Sequence, residues 1–73
     1  EALEAGETAA IISAFLRRQE ENDRKLFIRR YFHLESLAQL EEEFSLTQGQ
    51  VKSRLHRLRK KLKAELEREG VAV

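Results

Sequence analysis

The sequence predicts an all-α fold, and its composition and hydrophobic pattern support this prediction. The 73 residues include no proline and only three glycines, so few positions interrupt a helix. Apolar residues recur at spacings of three and four, as they do along one face of an α-helix, and no segment alternates convincingly like a strand. We therefore expect a single four-helix domain over residues 1 to 73, which at this length buries only about 60% of its unfolded surface.

The first helix is predicted over residues 8 to 20. Its apolar residues form two i,i+4 pairs, Ile11 with Phe15 and Ile12 with Leu16, which would pack one face of the helix against the core. Gly6 is expected to separate this helix from the start of the chain.

The second helix is predicted over residues 23 to 33, where Asn22 or Asp23 can accept hydrogen bonds from the free N–H groups of the first turn. Its large apolar side chains form i,i+4 pairs on two neighbouring faces: Phe27 with Tyr31, and Ile28 with Phe32. We expect them to be core residues, because a domain this small needs nearly all its large apolar side chains for burial.

Two capping boxes mark the remaining helices. Ser36 precedes Gln39 by three residues, and Thr47 precedes Gln50 in the same way, so each pair can satisfy two backbone N–H groups. The helices are predicted over residues 37 to 44 and 48 to 69, with a hydrophobic staple between Leu46 and Val51. A short helix, a three-residue turn and a longer basic helix form a helix-turn-helix pattern, an outline that many helical hairpins share.

Charge is distributed unevenly along the chain. Residues 1 to 46 carry 6 basic and 10 acidic side chains, a net −4, whereas residues 47 to 73 carry 8 basic and 3 acidic ones, a net +5; together they give the +1 of the whole chain. Residues 51 to 63 contain seven lysines and arginines and no acid. A run of this kind is usually a solvated helix face, but it also suits a polyanionic partner.

Helical geometry separates two faces of the last helix. At about 100° per residue the apolar side chains fall in one stripe roughly 80° wide; they are Val51, Leu55, Leu58, Leu62 and Leu66. The opposite side carries Gly49, Ser53, His56 and Lys60, flanked by Lys52, Arg57 and Lys63. Small residues at the start of a helix let its backbone approach the DNA major groove, where Lys, Arg, Ser and His reach base edges.

Composition also argues against other classes of function. The chain has no cysteine, which removes disulfides and thiolate metal sites and suits a reducing, cytoplasmic compartment. No apolar run approaches the ~20 residues of a membrane span. His33 and His56 lie on different predicted helices, and we expect no catalytic residue, metal site or cofactor. An N-terminal Glu1 without a signal-like segment suggests a piece of a longer protein.

The residues that carry these features resemble a known family. Residues 49 to 57, GQVKSRLHR, and residues 26 to 32, LFIRRYF, followed by Ser36 and Leu40, are similar to region four of bacterial RNA polymerase sigma factors. This region is the C-terminal domain of the sigma-70 family, and the similarity is greatest to its small extracytoplasmic-function members. It covers about residues 24 to 63.

The resemblance implies a winged-helix-like, four-helix domain that binds duplex promoter DNA at the −35 element and directs transcription initiation. Another face would hold the β-subunit flap of the RNA polymerase core, and an anti-sigma factor is a further partner. By position, Lys52, Ser53, His56 and Arg57 would enter the groove, and Gln48, Gln50 and Arg54 would lie near phosphates. Lys60 extends the same basic face.

Three positions depart from the family, which tends to have small residues or glycine where this chain has Leu34, Glu41 and Ser45. Ser45 would occupy a left-handed turn position at a cost on the order of 1 kcal/mol. Glu41 aligns with an alanine packed near the last helix, where a lone carboxylate would be costly. We therefore expect a Glu41–Arg54 ion pair.

Two alternatives stay open at this point. A sigma-like domain that contacts only RNA polymerase or an anti-sigma factor would carry its basic face incidentally. An output domain of a LuxR-type response regulator has a similar Val-Lys-Ser-Arg-Leu stretch, which begins here at Val51. Residues preceding Glu1 would distinguish the sigma-like from the LuxR-type domain, whereas weak binding with no DNA sequence preference would indicate the protein-only module.

Overall fold

A computed structural model describes residues 5 to 70, and these residues form an all-α structure of four helices. The helices are α1 (Ala5–Arg17), α2 (Glu21–Tyr31), α3 (Leu37–Phe44) and α4 (Gln48–Arg68). The prediction of four helices is confirmed. Residues 1 to 4 and 71 to 73 of the predicted domain lie outside the described part of the chain.

Both capping boxes are confirmed and set the starts of α3 and α4. The Ser36 hydroxyl accepts from the backbone N–H of Gln39 at 3.1 Å, and the Ser36 N–H donates to the Gln39 side chain at 2.7 Å. Thr47 and Gln50 make the same reciprocal bonds at 3.1 and 2.9 Å. Because each box satisfies two backbone donors, it fixes the residue at which its helix begins.

The first two helices differ from the prediction at their ends. Gly6 lies in the first turn of α1 and does not separate the helix from the start of the chain as expected. A glycine near a helix end interrupts few intrahelical hydrogen bonds. The start of α2 is formed by Glu20, which makes no side-chain cap, so the expected cap at Asn22 or Asp23 is wrong. The backbone carbonyl of Glu20 accepts from the Arg24 N–H at 2.9 Å, so α2 begins there without a side-chain cap.

The core consists of two clusters arranged along α4. The first core cluster joins α1, α2 and α4, and the second joins α2, α3 and α4. Their buried members are Phe15, Leu16, Phe27 and Leu58 in the first, and Leu26, Leu40, Val51 and Leu55 in the second. Tyr31 of α2 packs against both clusters, so α2 and α4 both link them.

The stripe predicted for α4 matches this core. Val51, Leu55, Leu58 and Leu66 are buried, and Leu62 packs against the first core cluster. Leu46 packs against the cluster that contains Val51, as the predicted staple requires. The core prediction is wrong for Phe32, which is 60% exposed, because α2 ends at Tyr31 and the chain turns away there.

Candidate nucleic-acid interface

The basic residues of α4 lie on the side away from the core. Lys52, Ser53, His56, Arg57 and Lys60 are all exposed, whereas the apolar positions between them are buried. We call these five residues the outward face. It contains no carboxylate, so its positive charge is not neutralised within the face.

The N-terminal end of α4 extends this exposed surface. Gln48, Gly49 and Gln50 are exposed, and an added Cβ at Gly49 would meet only the Thr47 hydroxyl oxygen, at 4.0 Å. Packing therefore does not demand glycine at position 49. The side-chain oxygen of Gln50 is occupied by the capping box, which leaves its amide nitrogen to contact a partner.

Arg54 is the one predicted site residue that the fold turns elsewhere. Its Nη1 lies 3.3 Å from Oδ1 of Asp23, in the first turn of α2, and the two side chains are 37% and 21% exposed. The expected pair with Glu41 is wrong, because α2 brings Asp23 to the flank of α4 on which Arg54 lies. The Arg54–Asp23 ion pair therefore connects α4 to α2.

Glu41 is accommodated without a cation. Its side chain is partly exposed, and among residues 5 to 70 it takes part in no ion pair. Its backbone carbonyl accepts from the N–H groups of Ser45 and Leu46, which close the end of α3. Water can therefore solvate the carboxylate, and the burial penalty that motivated the predicted pair does not arise.

Arg59 was not predicted as a site residue, although it lines a cleft together with Lys52 and His56 of the outward face. It is exposed, and its Nη1 donates to the Tyr31 hydroxyl at 2.9 Å. Its position four residues after Leu55 places it on the flank of the apolar stripe. That spacing could have indicated a contact with a neighbouring helix, but the partner residue depends on how α2 crosses α4.

Acidic side chains gather instead around Arg29, between α2 and α3. Arg29 bonds the Glu43 carboxylate and lies 3.7 Å from that of Glu35. Burial, and then the neighbouring Glu43 carboxyl, raise the pKa of Glu35 above its ordinary value of 4.5, although Arg29 opposes them. The Glu35 Oε1 atom is shielded from solvent and has no hydrogen-bond partner within the described residues.

Histidines and potential metal ligands form no cluster in the part of the chain that the structure describes. His33 and His56 are both exposed and lie on separate segments. Within residues 5 to 70, no three His, Cys, Asp or Glu side chains are grouped so as to hold a metal ion. None of the four helices is both long and apolar enough to span a lipid bilayer.

Comparison with known proteins does not extend this description. The sequence matches no protein-family model, and a search of curated proteins likewise finds no significant match.

Proposed function

We propose that this chain is a helix-turn-helix domain that binds duplex DNA. The observation that carries the proposal is the outward face of α4, where four potentially cationic side chains and one serine are exposed together with no carboxylate among them. Lysine and arginine on such a face neutralise phosphates and donate to base edges. The turn before α4 leaves its N-terminal end exposed, and this is the end that contacts bases in helix-turn-helix proteins.

More specifically, we propose the role of sigma factor region four, binding the −35 promoter element. The resemblance over residues 24 to 63 supports this, and two backbone conformations agree with it. Leu34 and Ser45 have φ values of +58° and +55°, which are left-handed conformations that favour glycine. The family tends to have small residues or glycine at these positions, and a left-handed backbone is a geometry that a glycine preference would serve.

In this proposal, Lys52, Ser53, His56 and Arg57 contact the major groove. Gln48, Gln50 and Lys60 lie at its edges and approach phosphates. We assign no DNA contact to Arg54, which the resemblance places near phosphates, because its guanidinium pairs with Asp23 at 3.3 Å.

A direct test is selection of preferred duplexes from a random pool, followed by titration of the best one at several salt concentrations. We expect a recurring sequence, and if about four phosphates are neutralised, a log–log salt slope near −3.6. Recovery of no preferred sequence would contradict the promoter-binding role. Affinity that does not change between dilute and physiological salt would contradict DNA binding altogether.

A second candidate function is a sigma-like module that binds only protein, such as RNA polymerase or an anti-sigma factor. It is favoured by an apolar cleft of about 330 Å³ between α1 and α2, lined in part by Ile12, Leu16, Ile28 and Phe32. Phe32 is 60% and Leu34 is 80% exposed, and large exposed apolar side chains commonly mark a protein interface. Binding to RNA polymerase or an anti-sigma factor, together with weak DNA binding that shows no sequence preference, would favour this candidate.

A LuxR-type output domain shares the proposed DNA-binding mode. The two families differ in the domain that precedes them, a sigma-like helical domain in one and a receiver domain in the other. A sigma-like helical domain in the same polypeptide would favour the sigma role, and a receiver domain would favour the LuxR-type role.

A further inference from the structure

A polar cleft of about 440 Å³ lies beside the outward face, where the end of α2 and the start of α3 meet α4. It is lined by Arg30, Tyr31, Leu37, Lys52, Leu55, His56 and Arg59. Three of these side chains are cationic, and no aspartate or glutamate is among the described residues that line the cleft. The neighbouring cleft between α2 and the end of α3 differs, because Glu43 lines it beside Lys25 and Arg29.

The two arginines of this cleft are positioned by hydrogen bonds within the fold. Arg30 donates from Nη1 to the backbone carbonyl of Glu35 at 2.9 Å, and Arg59 donates from Nη1 to the Tyr31 hydroxyl at 2.9 Å. These are bonds to neutral oxygens, so neither guanidinium charge is cancelled by its partner. The Tyr31 hydroxyl accepts from Arg59, and no bond that it donates is found within residues 5 to 70, so its proton is available to an anion.

The cleft and the outward face share Lys52 and His56. A duplex whose major groove receives the outward face must therefore carry one of its two backbones along this flank of α4. Arginine binds phosphate oxygens with paired N–H donors. Arg30, Arg59 and the Tyr31 hydroxyl all line the cleft.

We propose that this cleft binds one phosphate of the DNA backbone, with Arg59 and Arg30 as its charged contacts and Tyr31 as a further donor. The proposal rests on the DNA-binding function proposed above and extends it to three residues outside the predicted recognition surface. A free phosphate could supply the same chemistry, and the experiment distinguishes the two sources.

The DNA experiment compares Arg59→Gln with Arg17→Gln, using fluorescence anisotropy on a labelled duplex of the preferred sequence. Both variants remove one exposed arginine from a helix, but Arg17 lies on α1 and does not line this cleft. We expect Arg59→Gln to bind about 5- to 10-fold more weakly and to lower the magnitude of the salt slope by about 0.9, the value for one phosphate. Arg17→Gln should change neither quantity by a comparable amount.

A duplex series with single methylphosphonate substitutions then locates the phosphate. At one backbone position the neutral linkage should reduce the affinity of the wild-type protein for the duplex several-fold and leave the affinity of Arg59→Gln unchanged. Tyr31→Phe, which keeps the ring but removes the hydroxyl, should reduce affinity by a smaller factor. If Arg59→Gln and wild type respond alike at every position, the cleft does not hold a DNA phosphate.

The free-phosphate experiment uses Tyr31, the single tyrosine of a chain that has no tryptophan. Its fluorescence reports on the cleft when inorganic phosphate is added at constant ionic strength. A phosphate response that Arg59→Gln abolishes, without any change in duplex binding, would overturn the proposal in favour of a free phosphate. Failure of the wild-type protein to bind any duplex would overturn the proposed function as well, whereas equal duplex binding by Arg59→Gln and Arg17→Gln overturns the cleft alone.

Discussion

At the scale of single residues, ion pairing decides which cations of α4 remain free for a partner. Arg54 contacts Asp23, whereas Lys52, Arg57 and Lys60 are exposed and have no ion-pair partner within residues 5 to 70. A basic residue in the sequence is therefore not equivalent to a basic residue of the interface. The number of free cations depends on how the preceding helices pack.

The Asp23–Arg54 contact should be measurable in a double-mutant cycle. Because both side chains are partly solvated, we expect Asp23→Ala and Arg54→Ala to couple by about 0.5 to 1 kcal/mol in thermal unfolding. A second cycle with Glu41→Ala and Arg54→Ala serves as the control and should give additive losses. Coupling in the second cycle without coupling in the first would show that Arg54 pairs with Glu41 instead.

Glu35 should affect stability in a pH-dependent way. Burial and the Glu43 carboxyl raise the pKa of Glu35 in the folded protein. The contribution of the protonated Glu35 carboxyl to the free energy of unfolding is therefore fully present below pH 4.5, and it is lost as the pH rises through the folded-state pKa. At pH 7, Glu35→Gln should therefore unfold at a higher temperature than wild type. The difference should shrink as the pH approaches 4, where the wild-type carboxyl is protonated.

Glu21→Gln is the matched control, since a hydrogen bond from Lys25 and the charge of Lys25 lower the pKa of Glu21. Its contribution is present above pH 4.5 and is lost as the pH falls through the lowered value. The same substitution should then reduce the unfolding temperature at pH 7. Melting curves in which both variants shift in the same direction would contradict this account of Glu35.

At the scale of helices, the start of a helix could be predicted from the sequence where the residues at that start form a side-chain cap. The starts of α3 and α4 were predicted because each capping box is a local pattern that needs no tertiary contact. The start of α2 was missed because Glu20 forms it without a side-chain cap. Phe32 was misassigned for a related reason, since its burial depended on where α2 ends and not on its spacing from Ile28.

The turn between α3 and α4 carries backbone strain that can be removed. Ser45 has φ +55° and ψ +45°, and a left-handed conformation costs a non-glycine residue roughly 1 to 2 kcal/mol. Ser45→Gly should raise the free energy of unfolding by about 0.5 to 1 kcal/mol after the larger unfolded-state entropy of glycine is included. That change corresponds to an increase of about 2 to 8 °C in Tm for a domain of this size.

Ser53→Gly provides the control for this substitution because Ser53 lies in the interior of α4. There glycine should lower stability by roughly 0.5 to 1 kcal/mol. If both glycine variants lower Tm equally, Ser45 is not strained.

At the scale of the whole molecule, α4 contacts the other three helices and presents its charge on the side that they leave open. The apolar stripe and the outward face were both predictable, because they follow from helical periodicity alone. The cleft lined by Arg30, Tyr31 and Arg59 was not, since it depends on the angle at which α2 crosses α4. The exposed basic face was therefore predictable on α4, whereas the neighbouring cleft that includes α2 was not.

The central claim is that the outward face of α4 contacts base edges, and its most direct test is a ratio of affinities. Wild type, Lys52→Ala, Arg57→Ala and Lys61→Ala are each titrated with the preferred duplex and with a scrambled duplex of the same composition. Base contacts contribute roughly 1 to 3 kcal/mol of discrimination, so Lys52→Ala and Arg57→Ala should lower the ratio by about 5-fold or more. Lys61 is also exposed but lies outside the outward face, so Lys61→Ala should reduce the affinity for both duplexes by the same factor. Equal losses on both duplexes for Lys52→Ala and Arg57→Ala would contradict base contact by this face.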